Sequence, residues 1–275
     1  MSISETPIIY RKGSFKMTIK ETFAKYGIEY KSGKIYHKEF GYIPMLLVDG
    51  NSKIGKGCYH FSTLPTNQIY NVVINGKSYD IKGTCVCNCK GCYATTGNYR
   101  FSSVIRSLAV KTWLIRNDLD FVYNAICAQI EAFNIKLCRI HASGDFDSLE
   151  YAIMWKNITE KFSKTAFWTY TKVKEYEELF KGLENANIVK SVIHGFGYNF
   201  GHCGYILTVY KALKEQGKDV YICRCGVDKE QHCVNCKGCS KNEYVLFIEH
   251  STEYKAELDP LYEEVKRIIE SQAKQ

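Results

Sequence analysis

Apolar and polar positions alternate in short runs through the first part of the chain and become regularly ordered after residue 135. Residues 68–74 and 77–81 alternate as strands do, and Asn75-Gly76 between them is the preferred pair for a tight turn. The pattern therefore predicts a β-hairpin. Residues 101–116 and 119–133 repeat apolar side chains every three or four positions, which predicts two helices.

Beyond residue 135, strand patterns and helix patterns follow one another along the chain. Alternation at this spacing predicts parallel βαβ units with right-handed crossovers. We expect an α/β fold built on a partial (β/α) barrel or an open parallel sheet. A β-rich N-terminal segment (1–80), an α/β core (81–222) and a Cys-rich C-terminal segment (223–275) would make up the chain. The predicted strands span 135–141, 166–171, 188–193, 219–222 and 244–249, and the predicted helices span 148–162, 173–183, 204–216 and 253–273.

Composition narrows the class of protein. The chain of 275 residues is 45 % hydrophobic, which is enough to fill a core. No apolar run reaches about 18 residues and the N-terminus lacks the order of a signal peptide, so we expect no membrane partner and a cytoplasmic location. The formal charge of +8 permits an anionic partner, but the lysines are spread along the chain and ligating thiols would lower that charge.

The 13 cysteines are the strongest chemical signal in the chain. In a reducing compartment, clustered cysteines are typical of metal or cluster ligands rather than of disulfides. Isolated cysteines such as Cys127 and Cys138 are expected to be small buried apolar side chains. The first cluster contains Cys85, Cys87, Cys89 and Cys92, and the second contains Cys223, Cys225, Cys233, Cys236 and Cys239.

The first cysteine group permits two kinds of site. An all-thiolate zinc site would use its four members together, although ligands this close strain a tetrahedral loop. The spacing C-x3-C-x2-C of Cys85, Cys89 and Cys92 resembles instead that of the radical S-adenosylmethionine superfamily. The resemblance implies a [4Fe–4S] cluster on three thiolates, with S-adenosylmethionine on the fourth iron. Cys87 then has no ligand role unless it replaces Cys85.

The predicted strand 135–141 ends in a small acidic turn, Ser143-Gly144-Asp145. In the same superfamily, the corresponding turn contacts the amino group of the bound cofactor, so the resemblance implies that role for these residues. An ammonium needs acceptors, and a glycine lets the backbone approach closely. The alternative is an ordinary helix N-cap made by Asp145 or Asp147.

Polar residues also follow the next predicted strand. Tyr170 and Lys172 are candidates for contact with a ribose, a carboxylate or a substrate. His141 is a weaker candidate, because a histidine at the end of an apolar strand is more often a core residue with satisfied hydrogen bonds. No residue is assigned a catalytic role.

The second cysteine group predicts a closed site. The run C-x2-C-x2-C at Cys233, Cys236 and Cys239 is more typical of iron–sulfur proteins than of zinc fingers. Cys223 or Cys225 would complete four ligands, and such a site is structural or electron-carrying. A second iron–sulfur cluster and a zinc ion both remain open here, with the histidine before Cys233 as a further candidate ligand.

Short motifs recur in a fixed order along the chain: Asn-Ser-Lys-Ile-Gly-Lys at 51–56, Phe-Ser-Thr-Leu-Pro at 61–65, Gly-Cys-Tyr-Ala at 91–94, His-Ala-Ser-Gly-Asp-Phe at 141–146, Tyr-Thr-Lys at 170–172 and Val-Leu-Phe-Ile-Glu-His at 245–250. Their order resembles that of the gene-product-88 family of bacteriophage proteins over about residues 50–250. The resemblance implies a phage-encoded protein that acts in the cytoplasm of a bacterial host, and it implies no particular reaction.

The leading functional hypothesis is a radical S-adenosylmethionine enzyme that generates a 5′-deoxyadenosyl radical and carries an auxiliary cluster. Its partners would be S-adenosylmethionine, an electron donor such as flavodoxin or ferredoxin, and an unknown substrate. A nucleotide, a nucleic acid and a peptide are all compatible with the sequence. The alternative is a zinc-stabilised nucleic-acid-binding phage protein that uses its charge and its 21 tyrosines. A third hypothesis is a cluster-bearing redox sensor or electron carrier.

Overall fold

The structure, a computed structural model, describes residues 17–50, 54–86, 92–190, 200–224, 227–228, 231–236, 238–248 and 255–273. The helices are α1 (Ile19–Lys25), α2 (Ser102–Asn117), α3 (Leu119–Phe133), α4 (Leu149–Lys161), α5 (Lys174–Leu179), α6 (Cys203–Glu215), α7 (Cys233–Cys236) and α8 (Tyr262–Gln272). The strands are β1 (Tyr30–Lys31), β2 (Lys34–His37), β3 (Gly41–Pro44), β4 (Val48–Asp49), β5 (Tyr59–His60), β6 (Ile69–Ile74), β7 (Lys77–Lys82), β8 (Leu137–Arg139), β9 (Ala166–Thr171), β10 (Ala186–Lys190), β11 (Phe200–Gly201), β12 (Val220–Ile222) and β13 (Tyr244–Ile248). Short 3-10 helices lie at Tyr93–Thr95, Gly97–Arg100, Gly238–Ser240 and Ala256–Leu258.

A five-stranded sheet in the order β10-β9-β8-β5-β4 forms the centre of the fold. Strands β8, β9 and β10 run parallel, as the βαβ pattern predicts. Strand β5, which that pattern does not include, pairs parallel to β8, and β4 is antiparallel to β5. The mixed α/β class is therefore confirmed, with a mixed rather than a purely parallel central sheet. A second, parallel sheet has the order β11-β13-β12, and the described strands form no closed barrel.

Two layers cover the central sheet because alternate residues of each strand point to opposite faces. Cys138 and Phe167 are partners in the register of β8 and β9, and both join the large core that contains the helices α2, α3 and α4. Leu137 and Trp168 point the other way, into a smaller core shared with the C-terminal cysteines. Buried side chains on both faces are typical of parallel sheets. Cys127 and Cys138 are fully buried, which confirms the expectation for isolated cysteines.

Helix and strand boundaries confirm most of the sequence pattern and correct three parts of it. The helix predicted over 173–183 spans only Lys174–Leu179. The helix predicted over 253–273 begins only at Tyr262, because a residue before a proline disfavours helical backbone and Asp259 precedes Pro260. Helix α1 lies in the segment expected to be β-rich. Its start at Thr18 is stabilised by a reciprocal capping box with Glu21, a signal the hydrophobic pattern does not contain.

The N-terminal segment is not confined to its own sheet. Strands β1, β2 and β3 form a separate antiparallel sheet, but β4 and β5 pair into the central sheet beside β8. The division of the chain at residues 80 and 222 stays a prediction. Among the described residues, no helix combines the length and the apolar character needed to cross a bilayer.

Candidate functional site

The first cysteine group follows β5 and the β6–β7 hairpin. Cys85 and Cys92 are half-buried, and Cys87 and Cys89 lie outside the described residues. The Cys85 amide donates to the carbonyl of Thr66 at 2.9 Å, which ties the loop to the segment leaving β5. Burial raises the pKa of the nearby Tyr70 hydroxyl, and both thiols add to the rise. Cys85 and Cys92 are seven positions apart in the chain, yet both lie close enough to Tyr70 to influence its pKa.

The turn after β8 packs directly against both ends of this cysteine loop. The Asp145 amide donates to the Thr84 hydroxyl at 3.0 Å, and the Tyr93 hydroxyl donates to the carbonyl of Ala142. Gly144 has a φ of +81°, and a Cβ there would lie 1.9 Å from the Thr63 Oγ1 atom. The glycine is thus required by the close approach of threonine side chains. Its approach to a cofactor stays a prediction.

Asp145 links the ends of two neighbouring strands. Its buried carboxylate accepts hydrogen bonds from the Phe146 amide at 2.8 Å and from the Lys172 amide at 3.1 Å. Burial raises the pKa of this carboxyl to about 6, even though these bonds and the Lys172 ammonium oppose the rise. The Thr171 hydroxyl donates to the same carboxylate. A carboxylate offers about four acceptor positions, so capacity for about one further donor remains.

The N-cap interpretation of this acidic turn is wrong. Ser148 caps helix α4, its hydroxyl accepting from the Tyr151 amide at 3.2 Å. Asp147 instead makes a two-pronged ion pair with Arg116, with Nε and Nη2 of the guanidinium at 2.6 and 2.7 Å from the carboxylate oxygens. The same guanidinium donates to the carbonyls of Lys82 and Gly83. Arg116 therefore joins the turn after β8 to the entrance of the cysteine loop.

The other predicted cofactor contacts separate into two groups. Ser143 lies in the same turn, where its hydroxyl donates to the carbonyl of Thr63 at 2.9 Å. Lys172 reaches the turn through its backbone amide. Tyr170 points to the other cysteine group, because its hydroxyl hydrogen-bonds the Cys239 thiol. The site therefore brings Ser143, Asp145 and Lys172 together and leaves Tyr170 outside that cluster.

His141 is a core residue, as expected. Its Nε2 atom lies 2.9 Å from the Tyr151 hydroxyl and its Nδ1 atom lies 3.3 Å from the Thr169 hydroxyl. Complete burial, with the nearby Arg139 charge, lowers the pKa of the imidazole to about 3. The ring is neutral at physiological pH and has both nitrogens paired.

Thiols of the second cysteine group line one pocket. Cys223, Cys233, Cys236 and Cys239 share it with the apolar side chains of Leu137 and Trp168, which come from the central sheet. The Tyr221 hydroxyl lies 3.2 Å from the Cys236 sulfur. Cys225 lies outside the described residues. Within the described part of the chain, no three His, Cys, Asp or Glu side chains converge closely enough to hold a single ion.

A loop from the N-terminal segment covers helix α7 and this pocket. The Val234 amide donates to the carbonyl of Ile54 at 3.4 Å. Gly55 has a φ of +78°, and a Cβ there would lie 2.7 Å from the Cβ of His232. The Nδ1 atom of His232 is buried and has no hydrogen-bond partner among the described residues. A buried polar atom usually has a partner, so this orphan atom, on the residue that precedes Cys233, fits a site built for a bound group.

Arg139 is the site residue that the sequence interpretation missed. It ends β8 on the same face as Leu137, half-buried, and its Nη2 atom donates to the Tyr93 hydroxyl at 3.1 Å. Its guanidinium carbon lies 5.0 Å from the centre of the Tyr170 ring. A charged residue inside an otherwise apolar strand was the available signal, because burying a charge is costly unless it is paired.

Comparison with protein families gives one match. The family described as Gene product 88 matches residues 45–257, which is most of the chain. The chain belongs to the gene product 88 family. The family region includes both cysteine groups, the acidic turn after β8 and Arg139, and it confirms the phage family expected from the motifs. Comparison with curated proteins and with solved structures found no match.

Proposed function

We propose that this gene product 88 protein is an iron–sulfur protein of the bacterial host cytoplasm and acts as a radical S-adenosylmethionine enzyme on an unknown substrate. Cys85, Cys89 and Cys92 would hold a [4Fe–4S] cluster. The second cysteine group would hold another iron–sulfur cluster or a zinc ion. The proposal includes a partial (β/α) barrel as the fold. It also includes an electron donor such as flavodoxin or ferredoxin.

The observation that carries the proposal is the meeting of three polypeptide segments at one edge of the central sheet. The Ser143–Asp145 turn and Lys172 follow the parallel strands β8 and β9. The cysteine loop follows β7, and its first residues hydrogen-bond to the segment that leaves β5, the parallel neighbour of β8. Ligands of open parallel sheets bind at the carboxyl ends of the strands. A zinc knuckle that only stabilises a binding surface needs no acidic turn of this kind beside it.

Each protein segment has a defined task in this proposal. When bound, a reduced cluster would supply the one electron that cleaves S-adenosylmethionine into methionine and the 5′-deoxyadenosyl radical. The buried Asp145 carboxylate, with acceptor capacity left over, would receive the ammonium group of the cofactor. Lys172, beside it, provides a positive charge for the cofactor carboxylate. The ion pair of Arg116 with Asp147 holds the turn after β8 against the start of the cysteine loop.

The second pocket has the donor chemistry of a metal or cluster site. Four thiols line it, and thiolates are ligands both of zinc and of iron–sulfur clusters. The apolar walls from Leu137 and Trp168 suit a group that must be shielded from water.

The test is the metal and acid-labile sulfide content of protein purified without oxygen, followed by a cofactor-cleavage assay. We expect about eight irons and about eight sulfides per chain if both sites hold clusters. With dithionite, the wild-type protein should convert S-adenosylmethionine to 5′-deoxyadenosine. Cys89→Ala and Cys92→Ala should abolish this conversion, because each removes one of three cluster ligands.

Cys127→Ala is the matched control, since it removes a fully buried thiol from helix α3 outside both cysteine groups. It should keep the iron content and the cleavage activity. Cleavage of S-adenosylmethionine by Cys89→Ala would contradict the assignment of Cys89 as a cluster ligand and with it the proposed enzyme. Zinc without sulfide in the wild-type protein would favour the alternative, a zinc-stabilised nucleic-acid-binding protein, and would end the enzyme proposal.

A further inference from the structure

The outer face of the sheet formed by β1, β2 and β3 carries a pair of tyrosines. Strand β2 alternates exposed and buried side chains, with Tyr36 exposed and Ile35 buried. Tyr36 lies opposite Tyr42 of β3 in the register, so both side chains point to the same face. Their ring centres are 5.4 Å apart at an interplanar angle of 69°, and the two residues are 43 % and 39 % exposed. In such an edge-to-face pair one ring uses only its edge, so aromatic surface is left open to the solvent.

Two lysines share that face with the tyrosines. Lys34 precedes Tyr36 by two positions in β2, and Lys31 of β1 lies directly opposite Lys34. The Lys31 Nζ atom lies 5.8 Å from the centre of the Tyr42 ring. Neither ammonium lies within ion-pair distance of a carboxylate in the part of the chain that the structure describes. Like charges directly opposite each other destabilise a sheet, so an anion that binds there explains this pair better than the stability of the sheet does.

The net charge of the chain is concentrated in the part of the sequence that contains β1 and β2. Residues 11–38 hold eight Lys or Arg and two Glu, which is +6 of the formal +8 of the chain. Lys38, at the end of β2, is exposed and lies 3.7 Å from Asp118. Glu29 offsets the lysines in part, because it accepts a hydrogen bond from the Tyr42 hydroxyl. The remaining positive charge favours an anionic partner.

We propose that this sheet face binds single-stranded nucleic acid, with bases stacked on Tyr36 and Tyr42 and with Lys31 and Lys34 on the phosphates. Exposed aromatic rings beside cations suit a single strand, because every base has a face that can stack and the backbone is negatively charged. A duplex does not offer these contacts, since its bases are already stacked on one another. The face precedes residue 45, outside the family match, and the inference does not rest on the proposed iron–sulfur function.

The experiment measures the fluorescence anisotropy of a labelled oligothymidylate of about 12 nucleotides as the whole chain is added. Tyr36→Ser and Tyr42→Ser should each weaken binding about tenfold, because stacking on one ring is lost. Tyr36→Phe keeps the ring and removes only the hydroxyl, so it should bind as the wild type does. Wild-type affinity in both serine variants would overturn the inference, and so would a duplex of the same length that binds as tightly as the single strand.

The salt dependence of the same binding tests the two lysines. Replacing either by glutamine should reduce the slope of log Kd against log salt concentration by about 0.7, because each phosphate contact on a single strand releases about 0.7 of a counterion. Lys214→Gln is the matched control, since Lys214 also lies over a tyrosine ring, 5.9 Å from the centre of Tyr210 on helix α6. It should leave the slope unchanged. An unchanged slope in the double variant Lys31→Gln/Lys34→Gln, or an equal change in Lys214→Gln, would contradict the proposed contacts.

The outcomes separate this inference from the proposed function. Protein that contains iron and sulfide but does not bind the oligonucleotide overturns the inference alone, and protein without iron that binds it through the tyrosines overturns the proposed enzyme alone. Vesicles that contain phosphatidylserine probe a membrane surface as the other anionic partner, and binding to vesicles without binding to the oligonucleotide overturns the inference. If the serine variants do not fold, the lysine variants decide, because Lys31 and Lys34 are exposed and their substitution leaves the buried face of the sheet intact.

Discussion

Replacing His141 by glutamine removes an imidazole that the fold keeps neutral. Its two nitrogens face the Tyr151 and Thr169 hydroxyls, and a hydroxyl serves either as donor or as acceptor. Protonation would place an uncompensated charge among fully buried side chains. Glutamine reaches the position of Nε2 and does not titrate, so the substitution isolates the cost of charging this site.

The magnitude follows from the two pKa values of the imidazole. In the unfolded chain the pKa lies near 6.5, and in the fold it is about 3. The native state binds fewer protons, so this stabilisation is complete above pH 6.5 and is lost as the pH falls toward 3. The gap corresponds to about 5 kcal/mol over the whole window and to about 2 kcal/mol between pH 7 and pH 5.

Other buried groups also titrate in this range. His60, with a pKa lowered to about 4 mainly by burial, changes stability in the same direction as His141. Asp145, with a pKa raised to about 6 mainly by burial, changes it in the opposite direction. Both remain in His141→Gln, so they cancel when the variant is compared with the wild type at each pH.

The assay is urea denaturation at pH 7 and pH 5, followed by tryptophan fluorescence. Between these pH values the wild type should lose about 2 kcal/mol more unfolding free energy than His141→Gln. Thr169→Val is the control: it removes one hydrogen-bond partner but keeps the imidazole, so its pH dependence should match the wild type. Equal pH dependence in His141→Gln and wild type would refute the reasoning.

Three further predictions concern the candidate site. Gly144→Ala should lower the unfolding free energy by about 3 kcal/mol in thermal or urea unfolding, because φ is +81° and the new Cβ meets a threonine oxygen. Gly217→Ala is the control: φ is +70° but the space around it is open, so it should cost only about 1 kcal/mol. Arg116→Ala should lower the unfolding free energy by about 2 kcal/mol in the same measurement. The control Lys156→Ala breaks only a surface pair within helix α4 and should cost less than about 0.5 kcal/mol. Similar losses in the two variants would contradict the role given to Arg116. Between pH 7 and pH 5, Asp145→Asn should lose about 1 kcal/mol more unfolding free energy than the wild type, because a carboxyl with a raised pKa adds stability as the pH falls through 6. The same pH dependence in both proteins would show that burial does not raise the pKa of Asp145.

Local sequence determined several elements of this protein. The hairpin follows from Asn75 and Gly76, which adopt φ of 50° and 81°, the left-handed values that this turn requires. Strand β9 occupies residues 166–171 as its apolar run predicts. The two cysteine groups can be identified from the sequence alone, because their spacing involves only a few adjacent residues.

Tertiary structure decided which of these residues act together. The sequence left Asp145 as either a cap or a cofactor contact, and only the arrival of the Lys172 amide showed that it joins two strand ends. Arg139 looked like one charge in an apolar strand, yet it contacts residues 46 positions before it and 31 positions after it. Periodicity and turn propensity act over a few neighbouring residues. Contacts between distant segments depend on which sheet face each side chain occupies and on what packs there, and the folded chain alone supplies that.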